Sequence, residues 1–380
     1  MPETTDRQDM TASRHDETTL LPRVRAIAEG PLAAKVVDID QHGYYPLDIL
    51  AQLGEVGALD AHLARSGGHI GTAIKAMTEV SRVCGATGFL MWCHMVCGLY
   101  LEHAPDAALN TDLLATHSAG KTFGGTALSN PMKALAGIER MALSAHPVDG
   151  GYEISGTLPW VSHIAYGQYC GAMAALQDGQ EEETREILFL LRLDDRVTLR
   201  ACPHFSGMEG TSTWSIRLDR YFLPDQDVIA CPARPLIAEI KAPFILLQVG
   251  MAAGVIQGAI DSIWEVEGQL GHVNRYLEDR PEALQAELDA LVGRAMALAE
   301  RTHEQGKDYF LDTLDLRAHG SELSLRATQS ALLHQGARGY LSSAGPQRRV
   351  REAHFVAIVT PAIKHLRAEM ARLSAEELPA

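Results

Sequence analysis

The chain has 380 residues, 46% of them hydrophobic and 21% charged, with a formal net charge of −15. That length allows a large buried core divided among two or three subdomains. The acidic balance, with no Lys/Arg cluster, excludes the basic footprint of a nucleic-acid or anionic-membrane binder. No run reads as approaching the roughly 20 apolar residues that span a bilayer.

Residues 1–17 are polar and charged and have no apolar signal-peptide core. They read as a disordered lead-in to a cytoplasmic protein. Residues 18–122 read as a helical domain. "TLLPRVRAIAEGPLAAKVVDID" and "PLDILAQLGEVGAL" carry apolar residues at spacings of three and four. "HIGTAIKAMTEVSRVCGATGFLMWCHMVCGLYLEHA" is apolar on most faces, as a buried helix is, with a break predicted near Gly85 or Gly88. In "CHMVC", Cys93 and Cys97 lie one turn apart without a second pair of metal ligands nearby. The six cysteines therefore read as reduced, mostly buried small hydrophobes, and no metal site is expected.

The texture changes over residues 123–235. "GYEISGTLPWVSH", "QYCGAMAAL", "EILFLLRL", "RVTLRACP" and "WSIRLDRYFLP" are short apolar or alternating runs punctuated by Gly, Pro and Asp, which predicts a compact β-domain. Residues 178–186, "DGQEEETRE", read as an exposed loop or hairpin. Helical spacing returns over 236–380 in segments 241–268, 281–313, 321–341 and 354–367, predicting a four-helix bundle. The last segment, "HFVAIVTPAIKHLR", holds Thr360-Pro361 inside an otherwise good helical pattern, where proline costs roughly 3 kcal/mol.

Four motifs in register carry a family resemblance. "GYEISGTLPWVSHI" is followed fifty residues later by "GMEGTSTWSIRLDRYFLPDQDVI". "TALSNPMK" lies upstream of both, and "HQGARGYLSSAGPQRRVREA" lies downstream. Together they resemble the acyl-CoA dehydrogenase superfamily over roughly residues 20–370. The resemblance implies an α+β fold: an N-terminal helical domain, a central β-barrel or sandwich and a C-terminal four-helix bundle. It also implies a flavin. In the family a Gly-x-Lys-x-Trp-Ile-Thr/Ser-Asn segment lies against the flavin ring, and Gly156, Trp160 and Ser162 match it here. By this resemblance Ser162 contacts N5 and O4 of the ring, and Trp160 walls one face. Leu128, Ser129 and Asn130 lie at the pyrimidine side, where Asn130 stands in place of the family's Glu. Gly336, Arg338 and Gly339 fall in the cofactor-binding glycine segment.

The departures carry more information than the matches. "KALAGIE" replaces a Gly-Ser-Asp, "VEGQLGHVNRYLEDR" lacks the family's Arg-x-x-Phe-Gly, and Leu333 stands where the family has Gln. Each loss removes a polar contact to a dinucleotide tail, so FAD is held less tightly or FMN replaces it. The family's catalytic Glu occurs at one of two places, and these fall at Thr360 and Phe244. Neither side chain takes a proton near neutral pH, and no Asp or Glu occurs between Ala353 and Arg367. Glu239 is five residues upstream of Phe244 and has no evident place in the site.

Members of this superfamily without that base include monooxygenases resembling indole- and indoleacetate-oxidising enzymes. These use reduced flavin, often from a separate NAD(P)H-dependent reductase, together with O2. Their chemistry needs a dry pocket and a donor near the flavin. Ser162, His163, Thr360 and His94 are the candidate catalytic residues. For each histidine the competing reading is a hydrogen-bonded core or surface imidazole. The resemblance further implies a homotetramer, a dimer of dimers. Two alternatives stay open: an acyl-CoA or acyl-carrier dehydrogenase with a displaced base, and a flavin-less binding protein on the same fold.

Overall fold

The computed structural model describes residues 14–177, 185–304 and 306–375. Its N-terminal helices are α1 (Glu17–Ile27), α2 (Val36–His42), α3 (Leu47–Glu55), α4 (Ile70–Val83), α5 (Gly85–Glu102) and α6 (Leu114–Ser118). The Asp16 carboxylate caps α1 by accepting from the Thr18 N–H at 2.8 Å, which satisfies an orphan donor of the first turn. Residues 1–13 of the expected lead-in lie outside the described residues. The remainder of the lead-in is held in place. Arg14 donates to the Gly54 carbonyl at 2.6 Å, and His15 Nε2 lies 3.1 Å from Asp60 Oδ1 in a buried contact. The break between α4 and α5 falls at Cys84, which is extended. From Gly85 to Leu101 every residue of α5 is buried, which is why its sequence shows no polar face.

The central strands are β1 (Gly124–Thr126), β2 (Leu143–Val148), β3 (Gly151–Val161), β4 (Tyr169–Leu176), β5 (Glu186–Arg192), β6 (Thr198–Ala201), β7 (Trp214–Pro224) and β8 (Val228–Ala230), with a short helix α7 (Ser129–Leu135) after β1. They form one mixed sheet in the order β6-β7-β3-β2-β4-β5-β8, with β1 parallel to β4. The expected central β-domain is thus one mixed sheet, with β6 and β8 at the two ends of the strand order among the described residues. Two-residue periodicity explains its inner strands. In β4 and β5, Cys170, Ala172, Ala174, Ile187, Phe189 and Leu191 face the β-core, while Tyr169, Met173, Leu188 and Leu190 face the helical core. Both faces are dry, so these strands read as continuous apolar runs. Of the predicted exposed loop at 178–186, residues 178–184 lie outside the described residues; Glu186 pairs with Ala175 across β4 and β5.

The C-terminal helices are α8 (Arg234–Asn274), α9 (Pro281–Ala299), α10 (Lys307–Gln335), α11 (Gly345–Ile358) and α12 (Ile363–Ala375). Three sequence expectations are corrected here. The predicted helix 281–313 ends at Ala299, and α10 runs straight through the gap predicted between 313 and 321. The helix expected over 354–367 is two helices, because α11 stops at Ile358 with Val359 extended and the chain turns through Thr360-Pro361. Proline disfavours helical geometry in the residue before it, and its ring would clash with the preceding turn. Finally, α8 is long and apolar enough to cross a membrane, yet 89% of that apolar window is buried inside the protein. Its Gly250, Gly254 and Gly258 recur every four residues. A Cβ at these positions would lie 2.7, 2.5 and 2.5 Å from the carbonyl oxygens of Ile74, Thr78 and Arg82. The stripe lets α4 pack against α8 backbone to backbone, and this central helix carries much of the site.

Candidate active site

The site forms where β1 and β3 end against α8 and the α11–α12 break. β1 leads within three residues to Ser129, the first residue of α7. Behind it, Gly125 packs so closely on the end of β3 that a Cβ would lie 2.7 Å from the Ser162 carbonyl oxygen. Only a residue without a side chain brings these two segments together.

The helix break presents Thr360 to this corner. Thr360 Oγ1 lies 2.8 Å from Ser129 Oγ, and its carbonyl accepts from Gln248 Nε2 at 2.9 Å. Gln248, fully buried on α8, accepts in turn from Arg317 Nε at 2.8 Å. The Arg317 guanidinium also donates to the Val356 carbonyl at 2.6 Å and to Ser321 Oγ. Among the described residues its hydrogen-bond partners include no carboxylate. Burial alone lowers its pKa to about 10, so it stays cationic at neutral pH. A polar chain thus runs Arg317–Gln248–Thr360–Ser129, from the bundle core to the surface.

Next to Ser129 is a small cleft lined by Tyr100 from α5, Leu128 and Met132 around the start of α7, and Ile237, Ile240, Lys241 and Phe244 from α8. Trp92 from α5 packs edge-on against Phe244 at 4.9 Å and donates its Nε1–H to the Phe244 carbonyl. No Asp or Glu lines the cleft. The nearby carboxylates are engaged elsewhere. Glu239 is 3.2 Å from His103 Nε2 in an exposed pair, and Glu352 accepts from the Gly85 N–H and lies against Arg348.

On the sheet side, Ser162 Oγ lies 2.7 Å from Thr213 Oγ1, which is 2.9 Å from Thr211 Oγ1. Trp160 is 62% exposed and meets the exposed Phe205 edge-on at 6.2 Å. An uncovered indole beside a row of hydroxyls is a platform for a planar ligand with a polar rim.

His163 follows Ser162 with a left-handed backbone, φ 61°, a geometry His tolerates better than most residues. Its side chain turns inward. Nδ1 lies 2.8 Å from Tyr45 Oη, and Nε2 has no hydrogen-bond partner among the described residues. His94 is also fully buried. It stacks on His117 at 3.5 Å, each ring nitrogen Nε2 bonding the other residue's carbonyl, and it meets His163 edge-on at 5.7 Å. His62, bonded to the Met95 carbonyl, completes a buried imidazole group. Burial pushes all four toward the neutral form: His62 to about 4, His163 to about 3, and His94 and His117 well below the ordinary value.

The structure therefore joins Ser129 to Thr360 and His94 to His163, and it places Leu128 in the cleft wall. Asn130 has its amide committed within the chain: it donates to Glu139 and the Arg140 carbonyl and accepts from the Ala142 N–H. The segment Gly336–Tyr340 forms a turn of 3-10 helix in which Arg338 is exposed and Gly339 buried. No hydrogen bond or ring contact among the described residues links it to Ser129 or Ser162. Sequence reasoning missed Gln248, Arg317, Thr213, Tyr45, His117 and Lys241. A signal existed only for Gln248, the lone polar residue in the apolar run "FILLQVGMAAG".

Residues 14–121 match the acyl-CoA dehydrogenase N-terminal domain. The chain is 21% identical to a probable acyl-CoA dehydrogenase of Bacillus subtilis, YngJ, over 88% of this chain and 91% of that one. It superposes on butyryl-CoA dehydrogenase of Megasphaera elsdenii with a TM-score of 0.80 at 16% identity, covering 99% of this chain and 100% of that one. It superposes comparably on dibenzothiophene monooxygenase TdsC of Paenibacillus sp. A11-2, with a TM-score of 0.78 at 16% identity, covering 95% and 98%. TdsC has also been solved with FMN and indole bound. The chain thus has the acyl-CoA dehydrogenase fold, and its residues 14–121 match that family's N-terminal domain.

Proposed function

We propose that the protein is a flavin-dependent monooxygenase that uses reduced FAD or FMN and O2 to hydroxylate a small aromatic substrate. The observation that carries this reading is the missing base. Counting along the motifs puts Thr360 and Phe244 at the two places where a dehydrogenase of this superfamily has its Glu, and no Asp or Glu lines the cleft beside Phe244. Abstracting the proton next to a thioester carbonyl requires a base within hydrogen-bond reach, and oxygen insertion does not.

The residues present suit a flavin. Exposed Trp160 offers an aromatic face, and Ser162 and Ser129 offer hydroxyls for a polar rim. Asn130 keeps α7 in place for Ser129. Reduced flavin supplies the activation of O2. The protein's part is to hold the ring, keep water out with the apolar cleft wall and aim the substrate. The partly exposed Ser129–Thr360 hydroxyl pair gives the substrate a polar contact. His163 and His94, neutral and inward, hold the β3 end and α5 together behind the ring. We further propose that a separate NAD(P)H-dependent reductase supplies the reduced flavin. The chain would assemble as a homotetramer, with Gly336, Arg338 and Gly339 meeting a neighbouring subunit's cofactor; exposed Tyr340 and Leu341 on that segment support such a contact.

The test is to mix the protein with chemically reduced FMN or FAD and indole under argon, then admit ¹⁸O2. A hydroxylated product with one labelled atom is expected. Bleaching of bound oxidised flavin by an acyl-CoA thioester without oxygen would falsify the proposal and favour the dehydrogenase reading. Thr360→Glu should leave thioester oxidation undetectable.

A further inference from the structure

Side chains, not the backbone, hold the break between α11 and α12. Among the described residues no backbone–backbone hydrogen bond engages Thr360. In a continuing helix the Val356 carbonyl would accept from the N–H four residues on. Here α11 stops at Ile358 with Val359 extended, so that carbonyl is released. Arg317 of α10 fills it, donating from Nη2 at 2.6 Å. The cation also meets the negative end of the α11 dipole. That offsets part of the cost of burying a guanidinium with no carboxylate among its hydrogen-bond partners.

The same guanidinium orients a second group. Its Nε donates to Gln248 Oε1 at 2.8 Å. A guanidinium has no acceptor and a backbone carbonyl has no donor. The fully buried Gln248 amide therefore has one orientation, with its oxygen toward Arg317 and its NH2 toward the Thr360 carbonyl, 2.9 Å away. A charged donor on the amide oxygen polarises the amide and strengthens the bond that its NH2 makes. Arg317 thus grips the break twice: at the end of α11 and, through Gln248, at Thr360. The hydroxyl of the residue held in this way lies 2.8 Å from Ser129 Oγ.

We infer that Arg317 and Gln248 are positioning residues, which fix the Thr360 backbone and so set where the Ser129–Thr360 hydroxyl pair stands. This inference deepens the function proposed above and takes from it that the pair contacts the substrate. The test uses Gln248→Glu in the full-length protein. The new carboxylate still accepts from Arg317, as an ion pair, but has no N–H for the Thr360 carbonyl. The urea midpoint should stay near that of the unsubstituted protein while the tether is lost. In protein carrying ¹³C-labelled threonine methyls, with the Thr360 signal assigned by Thr360→Val, that signal should move in Gln248→Glu. It should move also in Gln248→Met, which is neutral, similar in size and without the same N–H. In turnover of indole with reduced FMN and O2, Gln248→Glu should raise KM about fivefold, the worth of one neutral hydrogen bond, with a smaller change in kcat. In a Thr360→Val background the same substitution should change KM by less than about twofold, because no hydroxyl remains for it to misplace. A full-sized KM effect in that background, a Thr360 methyl unmoved in both variants, or a KM indifferent to Gln248→Glu overturns the inference. The methyl spectrum needs neither flavin nor turnover. A moved methyl in protein that hydroxylates nothing with either flavin sinks the monooxygenase and leaves the clamp. Hydroxylation with an unmoved methyl sinks only the clamp.

Discussion

Two buried polar groups flank the candidate site, and they solve burial in opposite ways. Behind the sheet-side corner, His62, His94, His117 and His163 sit in full burial with no carboxylate partner among their hydrogen bonds, and they discharge to the neutral form. Behind the helix-side corner, Arg317 is just as buried, yet it cannot shed its proton at neutral pH. It is surrounded instead by neutral acceptors: Gln248, Ser321 and the Val356 carbonyl. The difference leaves one side of the site electrically quiet and the other positive. The buried Arg317 charge on that side favours anions and developing negative charge.

The contrast is most directly probed by pH. Each histidine has a folded pKa below its unfolded value near 6.5, so below that pH the unfolded chain binds protons that the folded chain refuses. Stability is therefore complete above about pH 6.5 and falls as pH drops toward about 4 for His62 and about 3 for His163. Each contributes up to roughly 1.4 kcal/mol per pH unit. Urea midpoints at pH 7.5, 6.5 and 5.5 should fall steeply, and His163→Gln should flatten the slope by about one proton. A flat profile would mean that the cluster titrates normally and that the contrast with Arg317 is illusory.

Replacing the helix-side cation gives the next largest effect. Arg317→Met leaves three buried acceptors without their donor, each costing roughly 1–3 kcal/mol, partly offset by removal of a desolvated charge. A net loss of about 3 kcal/mol is expected in urea unfolding. It should be equal at pH 6 and pH 8, because the guanidinium does not titrate there. Ser162→Ala sharpens the sheet side. Losing one neutral hydrogen bond, about 1 kcal/mol, should weaken FMN binding about fivefold, read by flavin fluorescence, with little change in urea midpoint. Smallest is Thr360→Val, which removes the hydroxyl contact with Ser129 while keeping the carbonyl contact with Gln248. A stability loss under about 1 kcal/mol is expected because the contact is partly exposed. A loss as large as that of Arg317→Met would show that the hydroxyl, not the carbonyl, anchors the break.

The sheet side was the more legible half. Trp160, Ser162 and His163 are consecutive or nearly so, and a strand delivers neighbours in sequence to one edge in space. Ser129 and Thr360 were recognised separately by counting along motifs. That they touch, 231 residues apart, depends on how α7 meets the α11–α12 break. The helical side misled in an instructive way. "LDLRAHG" looked like a polar gap between helices, whereas it is the middle of α10, and its Arg317 is the buried guanidinium. A charge inside an apolar pattern is an ordinary sign of a loop, and here it marks a buried network. The polar stretch after Ala299, which periodicity carried through, separates α9 from α10.

By itself the sequence determined the order helices, sheet, helices, because apolar spacing is a local property set by 3.6- and 2-residue periods. It also determined that no Asp or Glu stands between Ala353 and Arg367. Only the tertiary structure decided what surrounds Thr360: a helix break whose carbonyl is tied to Gln248 and whose hydroxyl meets Ser129. It alone showed that Glu239 turns out to His103. Hydrogen bonds and unmet charges belong to residues brought together across more than a hundred positions, and no local pattern encodes which of them meet.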